Sequence, residues 1–90
     1  MSKKRKLLEK VLAGSKNIRF DEFVLLLEAF GFERKRVRGS HHLYAHPDVV
    51  ELLSIQPKTN GQAKPYQINQ FLKLVDHYAL QLADDDEGES

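Results

Sequence analysis

The sequence predicts an α+β domain: a three-stranded antiparallel sheet with helices packed on one face, plus an extra helix at the N-terminus. Three observations predict it. Apolar residues recur at helical spacing in two segments near the start of the chain and in one near its end. Between these segments the spacing becomes that of strands, interrupted by Gly-Ser and Pro-Asp turns. The chain has 90 residues and no cysteine, so it builds one modest core without disulfides or thiolate metal sites.

Residues 3–13, KKRKLLEKVLA, place Leu7, Leu8, Val11 and Leu12 on one helical stripe, and Gly14 is a C-terminal stop. GSKN reads as a turn. Residues 21–30, DEFVLLLEAF, form a second helix with Phe23, Val24, Leu27 and Phe30 on its apolar stripe. Asp21 and Glu22 suit its first turn, where the helix dipole favours acids, and Gly31 ends it. From Phe32 the period changes. FERKRVRG is a charged, exposed strand containing Val37, and SHHLYAH is a second strand, with Gly39-Ser40 as the tight turn between them. Pro47-Asp48 marks the next turn. VVELLSIQ, residues 49–56, is a third and more buried strand, favoured over a short helix by its β-branched content.

PKTNGQAK follows as a loop. Pro65 occupies a first helical position, where its missing N–H costs nothing. Ile68, Phe71, Leu72, Val75, Tyr78, Ala79 and Leu82 then repeat at three and four residues, which predicts an amphipathic helix over 65–82. DDDEGES, residues 84–90, has no apolar content and predicts a disordered acidic tail, leaving 1–83 as the single domain.

The net charge of +1 conceals an asymmetry. Five of the 13 acids lie in the last seven residues, so residues 1–83 hold eight acids against all 14 Lys and Arg. A basic body suggests a polyanionic partner, although a few excess cations also serve solubility. No apolar run approaches the roughly 20 residues of a membrane span. MSKKRKLLEK lacks the apolar core and cleavage site of a signal peptide. A cytoplasmic protein is the expectation.

The stretch RKRVRGSHHLYAHPD, residues 34–48, sets titratable imidazoles beside a basic run. Strand alternation puts His41 and Leu43 on one face, His42 and Tyr44 on the other. If Tyr44 belongs to the core, His42 leans inward and His41 lies on the open face; a register slip by one exchanges them. An open-face imidazole transfers protons near neutral pH, and Arg34, Lys35, Arg36 and Arg38 are placed to bind a phosphate and offset charge in a pentacoordinate transition state. RNA supplies its own nucleophile, the 2′-hydroxyl. The bland alternative is an ordinary surface histidine. His41, His42, His46 and Asp48 lack a paired zinc spacing, so no metal is expected.

A second marked stretch is QPKTNGQAKPYQ, residues 56–67. Lys58 and Lys64 flank a helix start whose first N–H groups are free for an anion, and Tyr66 suits stacking on a base or contact with a sugar. Gly61 and Pro65 are also explained by loop formation alone. That leaves the cluster of Gln, Lys and Tyr without a purely structural account.

Together, GFERKRVRGSHHLYAHPD and IQPKTNGQAKPYQINQFLKLV resemble the HicA family of toxins from bacterial and archaeal toxin–antitoxin modules, over about residues 18–82. The shared pattern is a helix ending in Gly-Phe, a basic strand, Gly-Ser-His, an aromatic three positions after that histidine, and a final amphipathic helix. GQAKPYQ resembles the family variant with a loop rich in Gln, Lys and Tyr, not the shorter Pro-x-His version. The resemblance implies a double-stranded-RNA-binding-like fold, an endoribonuclease that cleaves mRNA and inhibits translation, and a HicB-type antitoxin that masks the active site. The histidine-based cleavage scheme requires no metal, and no cofactor is expected. The family's catalytic histidine matches His41, with His42 as the alternative because some members place the imidazole one step later. Ser40 and nearby N–H groups would orient the phosphate, while Arg34, Arg36, Arg38, Lys58, Lys64 and Tyr66 would bind RNA. The helix at 3–13 lies outside the pattern. Two other readings remain: a non-catalytic RNA-binding module of similar fold, and a protein-binding domain that docks an acidic partner.

Overall fold

The computed structural model describes residues 3–83; the acidic tail expected at 84–90 lies outside the described residues. In chain order the elements are α1 (Lys3–Leu12), α2 (Phe20–Ala29), β1 (Glu33–Arg38), β2 (His41–His46), β3 (Val49–Ile55) and α3 (Pro65–His77). The strands form one antiparallel sheet in the order β1-β2-β3. This is the α+β architecture the sequence predicts, with every element in its predicted order.

Local chemistry sets the ends of the helices. Glu22 Oε1 accepts the Arg19 N–H at 2.9 Å, satisfying one donor at the start of α2. All three helices end in the same hydrogen-bond pattern, which satisfies two carbonyls of the last turn. In α1, Gly14 N–H donates to Val11 and Ser15 N–H to Lys10. In α2, Gly31 donates to Glu28 and Phe32 to Leu27; in α3, Ala79 donates to Asp76 and Leu80 to Val75. The pivot residue of this motif takes the left-handed backbone, φ +84° at Gly14 and +97° at Gly31. At the end of α3 the pivot is Ala79, φ +53°, the only described non-glycine residue with positive φ.

The end of α3 corrects the predicted span of 65–82. The helix stops at His77, and the chain turns back through Ala79. Leu80 and Leu82 still pack against the core, but from a non-helical segment whose Ala83 N–H donates to the Ala29 carbonyl at 2.7 Å. Their apolar spacing fits an extended stretch as well as a helix, which is why periodicity alone overran the end.

One hydrophobic cluster lies between the helices and the inner face of the sheet. Phe71 of α3 is fully buried at its centre, with the rings of Phe23, Phe30 and Phe32 at 5.7, 5.4 and 6.0 Å between centroids, all edge-on. The sheet contributes Tyr44, Val49, Leu53 and Ile55. Strand β1 is exposed at all six positions, and Val50 and Leu52 of β3 are exposed as well. The loop before α3 is sewn to the start of α2: Phe20 N–H donates to Gly61 at 3.0 Å and Ala63 N–H to Ile18 at 2.8 Å.

Candidate nucleic-acid interface

The β1–β2 hairpin turns on Gly39 and Ser40, with Arg38 and His41 paired across it. Gly39 takes φ +57° while Ser40 keeps a negative φ, the Gly-first pattern that suits the twist of the flanking strands. The turn therefore fixes the register that decides which face each side chain occupies.

Tyr44 is 1 % exposed and belongs to the core. The parity of β2 then turns His42 and His46 toward the helices and leaves His41 on the outer face, as the sequence predicts for a buried Tyr44. Cross-strand partners share a face, so Arg38 lies beside His41, and Arg36 beside Leu43. Ser54 pairs with Leu43 from β3, completing a three-strand row on that outer face. The ladder slips between Arg34 and Arg36, a bulge of the kind that concentrates at sheet edges and re-aims side chains.

Arg34 stands apart from the other cations. It pairs with Tyr44 and so projects to the helix side, where its charge lowers the phenol's pKa. Burial and the nearby Glu28 carboxylate outweigh it and raise the Tyr44 pKa. The structure thus gathers Arg36, Arg38, Ser40 and His41 at one end of the outer face and separates Arg34 from them.

The three histidines of β2 have different surroundings. His41 is exposed, and its side chain has no hydrogen-bond partner among the described residues. The His42 ring lies 5.1 Å from the Phe20 ring, and its Nδ1 is buried with no partner among the described residues. His46 is committed at both nitrogens: Nδ1 accepts the Asp48 N–H at 3.0 Å, and Nε2 lies 3.0 Å from the Phe30 carbonyl. A backbone N–H only donates and a carbonyl only accepts, so the His46 proton sits on Nε2. No three His, Asp or Glu side chains converge on a common point among the described residues.

Lys58 lies in the loop, Lys64 caps α3, and Tyr66 follows on its first turn, 63 % exposed. A chain of hydrogen bonds joins this region to the hairpin. Gln67 Nε2 donates to Tyr66 Oη at 3.2 Å, and Gln67 Oε1 accepts the Gln56 N–H at 3.0 Å. Gln56 Nε2 in turn donates to Ser40 Oγ at 3.1 Å. Sequence reasoning singled out Ser40 and Tyr66 but neither glutamine as a site residue. The available signal was the excess of Gln in the loop, which does not say where an amide points.

Residues 20–76, more than half of the chain, match the model of a family described as the HicA toxin of bacterial toxin–antitoxin systems. The match spans α2, the whole sheet and nearly all of α3, and it leaves α1 outside. No curated protein and no solved structure matches the chain.

Proposed function

The chain belongs to the HicA toxin family of bacterial toxin–antitoxin modules, and from that premise we propose that it is an endoribonuclease that cleaves mRNA and so inhibits translation. Its partner in the module is a HicB-type antitoxin that covers the outer sheet face, and its place of action is the cytoplasm. The observation that carries the reading is the exposed imidazole of His41, without a side-chain partner among the described residues, beside Arg38 on an outer face that also carries Arg36.

The chemistry follows from that placement. The His41 imidazole takes the proton from a ribose 2′-hydroxyl. The freed oxygen attacks the adjacent phosphorus, and the bond from phosphorus to the 5′-oxygen of the next nucleotide breaks. That oxygen leaves with a proton taken from solvent water, the His41 imidazolium later returning its own to solvent, giving a 2′,3′-cyclic phosphate and a 5′-hydroxyl end. Arg36 and Arg38 offset the charge that grows on the phosphate oxygens, with Ser40 and the turn N–H groups orienting it. Lys58, Lys64 and Tyr66 hold the flanking strand, while Arg34, on the helix side, takes no part. The scheme requires no metal.

The test is cleavage of end-labelled RNA by purified wild-type and His41→Ala protein, with and without chelator. Cleavage by the wild type that persists in chelator and disappears in His41→Ala supports the reading. A folded His41→Ala protein with full activity moves the role to His42. Salt-dependent binding without products would instead make the protein a non-catalytic RNA-binding module.

A further inference from the structure

We propose that Gln56 and Gln67 are positioning residues of the substrate cradle, an amide relay that ties the turn bearing Ser40 and His41 to the first turn of α3 and leaves the Ser40 and Tyr66 hydroxyls free to donate to anionic sugar–phosphate oxygens. The inference rests on the RNA-cleavage reading of this site.

Gln67 is the only buried amide side chain among the described residues, 4 % exposed. A buried amide is costly unless its groups are hydrogen-bonded. Its orientation is unambiguous: Oε1 faces the Gln56 N–H, which can only donate, so Nε2 faces the Tyr66 oxygen. Tyr66 therefore accepts, and its own O–H is not spent on this contact.

The other end of the relay lies on the hairpin turn. Gln56 has its backbone N–H held by Gln67 and its side-chain amide on Ser40. Ser40 Oγ accepts that bond, and a hydroxyl that accepts still has its proton to give. Ser40 and Tyr66 are both exposed, and Ser40 directly precedes His41. Two outward hydroxyl donors, one beside the imidazole and one at the α3 start, are thus set by a single buried amide. The relay joins the two stretches that the sequence marks separately as phosphate-handling.

A double-mutant cycle of Ser40→Ala and Gln56→Met tests this. It is read as the single-turnover cleavage rate of labelled RNA and as the Kd for the same sequence with 2′-O-methyl riboses, which lacks the nucleophile. Thermal midpoints are measured alongside. Each single change is expected to slow cleavage about tenfold, and the double variant to be no slower than the slower single one. Ser40→Thr, which keeps the hydroxyl, should recover most of the rate. The same coupling is expected between Tyr66→Phe and Gln67→Met. Effects that multiply independently, or a Gln56→Met protein as fast as the wild type, overturn the relay while leaving His41 cleavage intact. If the wild type cuts no RNA, the cleavage reading fails, and the 2′-O-methyl Kd decides: coupled losses uphold the relay as a phosphate cradle, and additive or absent losses overturn it. Ser40→Ala and Ser40→Thr lie on an exposed turn outside the core, so they report even if a glutamine variant folds poorly.

Discussion

His41 and His46 stand at opposite ends of one strand and differ in everything but residue type. His46 has both nitrogens bonded, to the Phe30 carbonyl and the Asp48 N–H, and its ring lies edge-on to Phe32 at 5.1 Å. His41 is exposed with no side-chain partner among the described residues and an arginine across the ladder. A histidine whose nitrogens are all engaged staples a fold; one with both free has protons to move. What separates them is strand parity, which follows from the Gly39-Ser40 turn and the burial of Tyr44.

The sharpest way to break this comparison is to remove each ring. His41→Ala should slow RNA cleavage by about 10²- to 10⁴-fold, the range of a lost general acid–base group, with an unchanged melting midpoint. Nearly as large, on stability, is the contrast between neighbours on the two faces of β3. Leu53 is fully buried and Leu52 is 58 % exposed. Leu53→Ala should cost about 2–5 kcal/mol in urea unfolding, whereas Leu52→Ala should stay within about 0.5 kcal/mol. Equal costs would mean that the outer face is covered.

His46→Ala should be destabilising by about 1–3 kcal/mol, because it orphans the Phe30 carbonyl and the Asp48 N–H, while cleavage by the folded protein is retained. Loss of cleavage at equal foldedness would erase the division of labour along β2.

The smallest effect sits at the far end of the sheet, where Tyr78 donates to Glu51 at 2.6 Å. That bond holds the Glu51 carboxyl below its ordinary 4.5 and, from the other side, raises the Tyr78 phenol above 10.0. A lowered carboxyl pKa stabilises the fold above its unfolded value, and the effect fades as pH falls through the folded value. A raised phenol pKa stabilises the fold below its unfolded value, and the effect fades as pH rises through the folded one. The difference in melting midpoint between wild type and Tyr78→Phe should therefore be greatest near neutrality and vanish at both extremes.

Much of this was legible in the residues themselves. Turn signals and the change of period placed all six elements, because glycine, proline and apolar spacing act locally. The end of α3 was not, since Leu80 and Leu82 fit an extended segment packed on the core as well as another helical turn. The choice between His41 and His42 for the outer face hinged on whether Tyr44 is buried, a tertiary fact. Arg34 looked like its neighbours because the slip in the ladder after it leaves no mark in composition. Gln56 and Gln67 are 11 positions apart and meet only once β3 and α3 are side by side.

Of the three helix ends, only the last makes its left-handed pivot with a side chain, at Ala79. Trimming that methyl group, Ala79→Gly, should harden the protein by about 0.5 kcal/mol, the relief of strain exceeding glycine's extra freedom when unfolded. The pivot lies beside Tyr78 and Glu51, whereas His41 sits beyond the opposite end of β3, next to the strand position that pairs with Ile55. Ruggedness and potency are therefore tunable by separate dials: a hardier version of this molecule need not be a milder one.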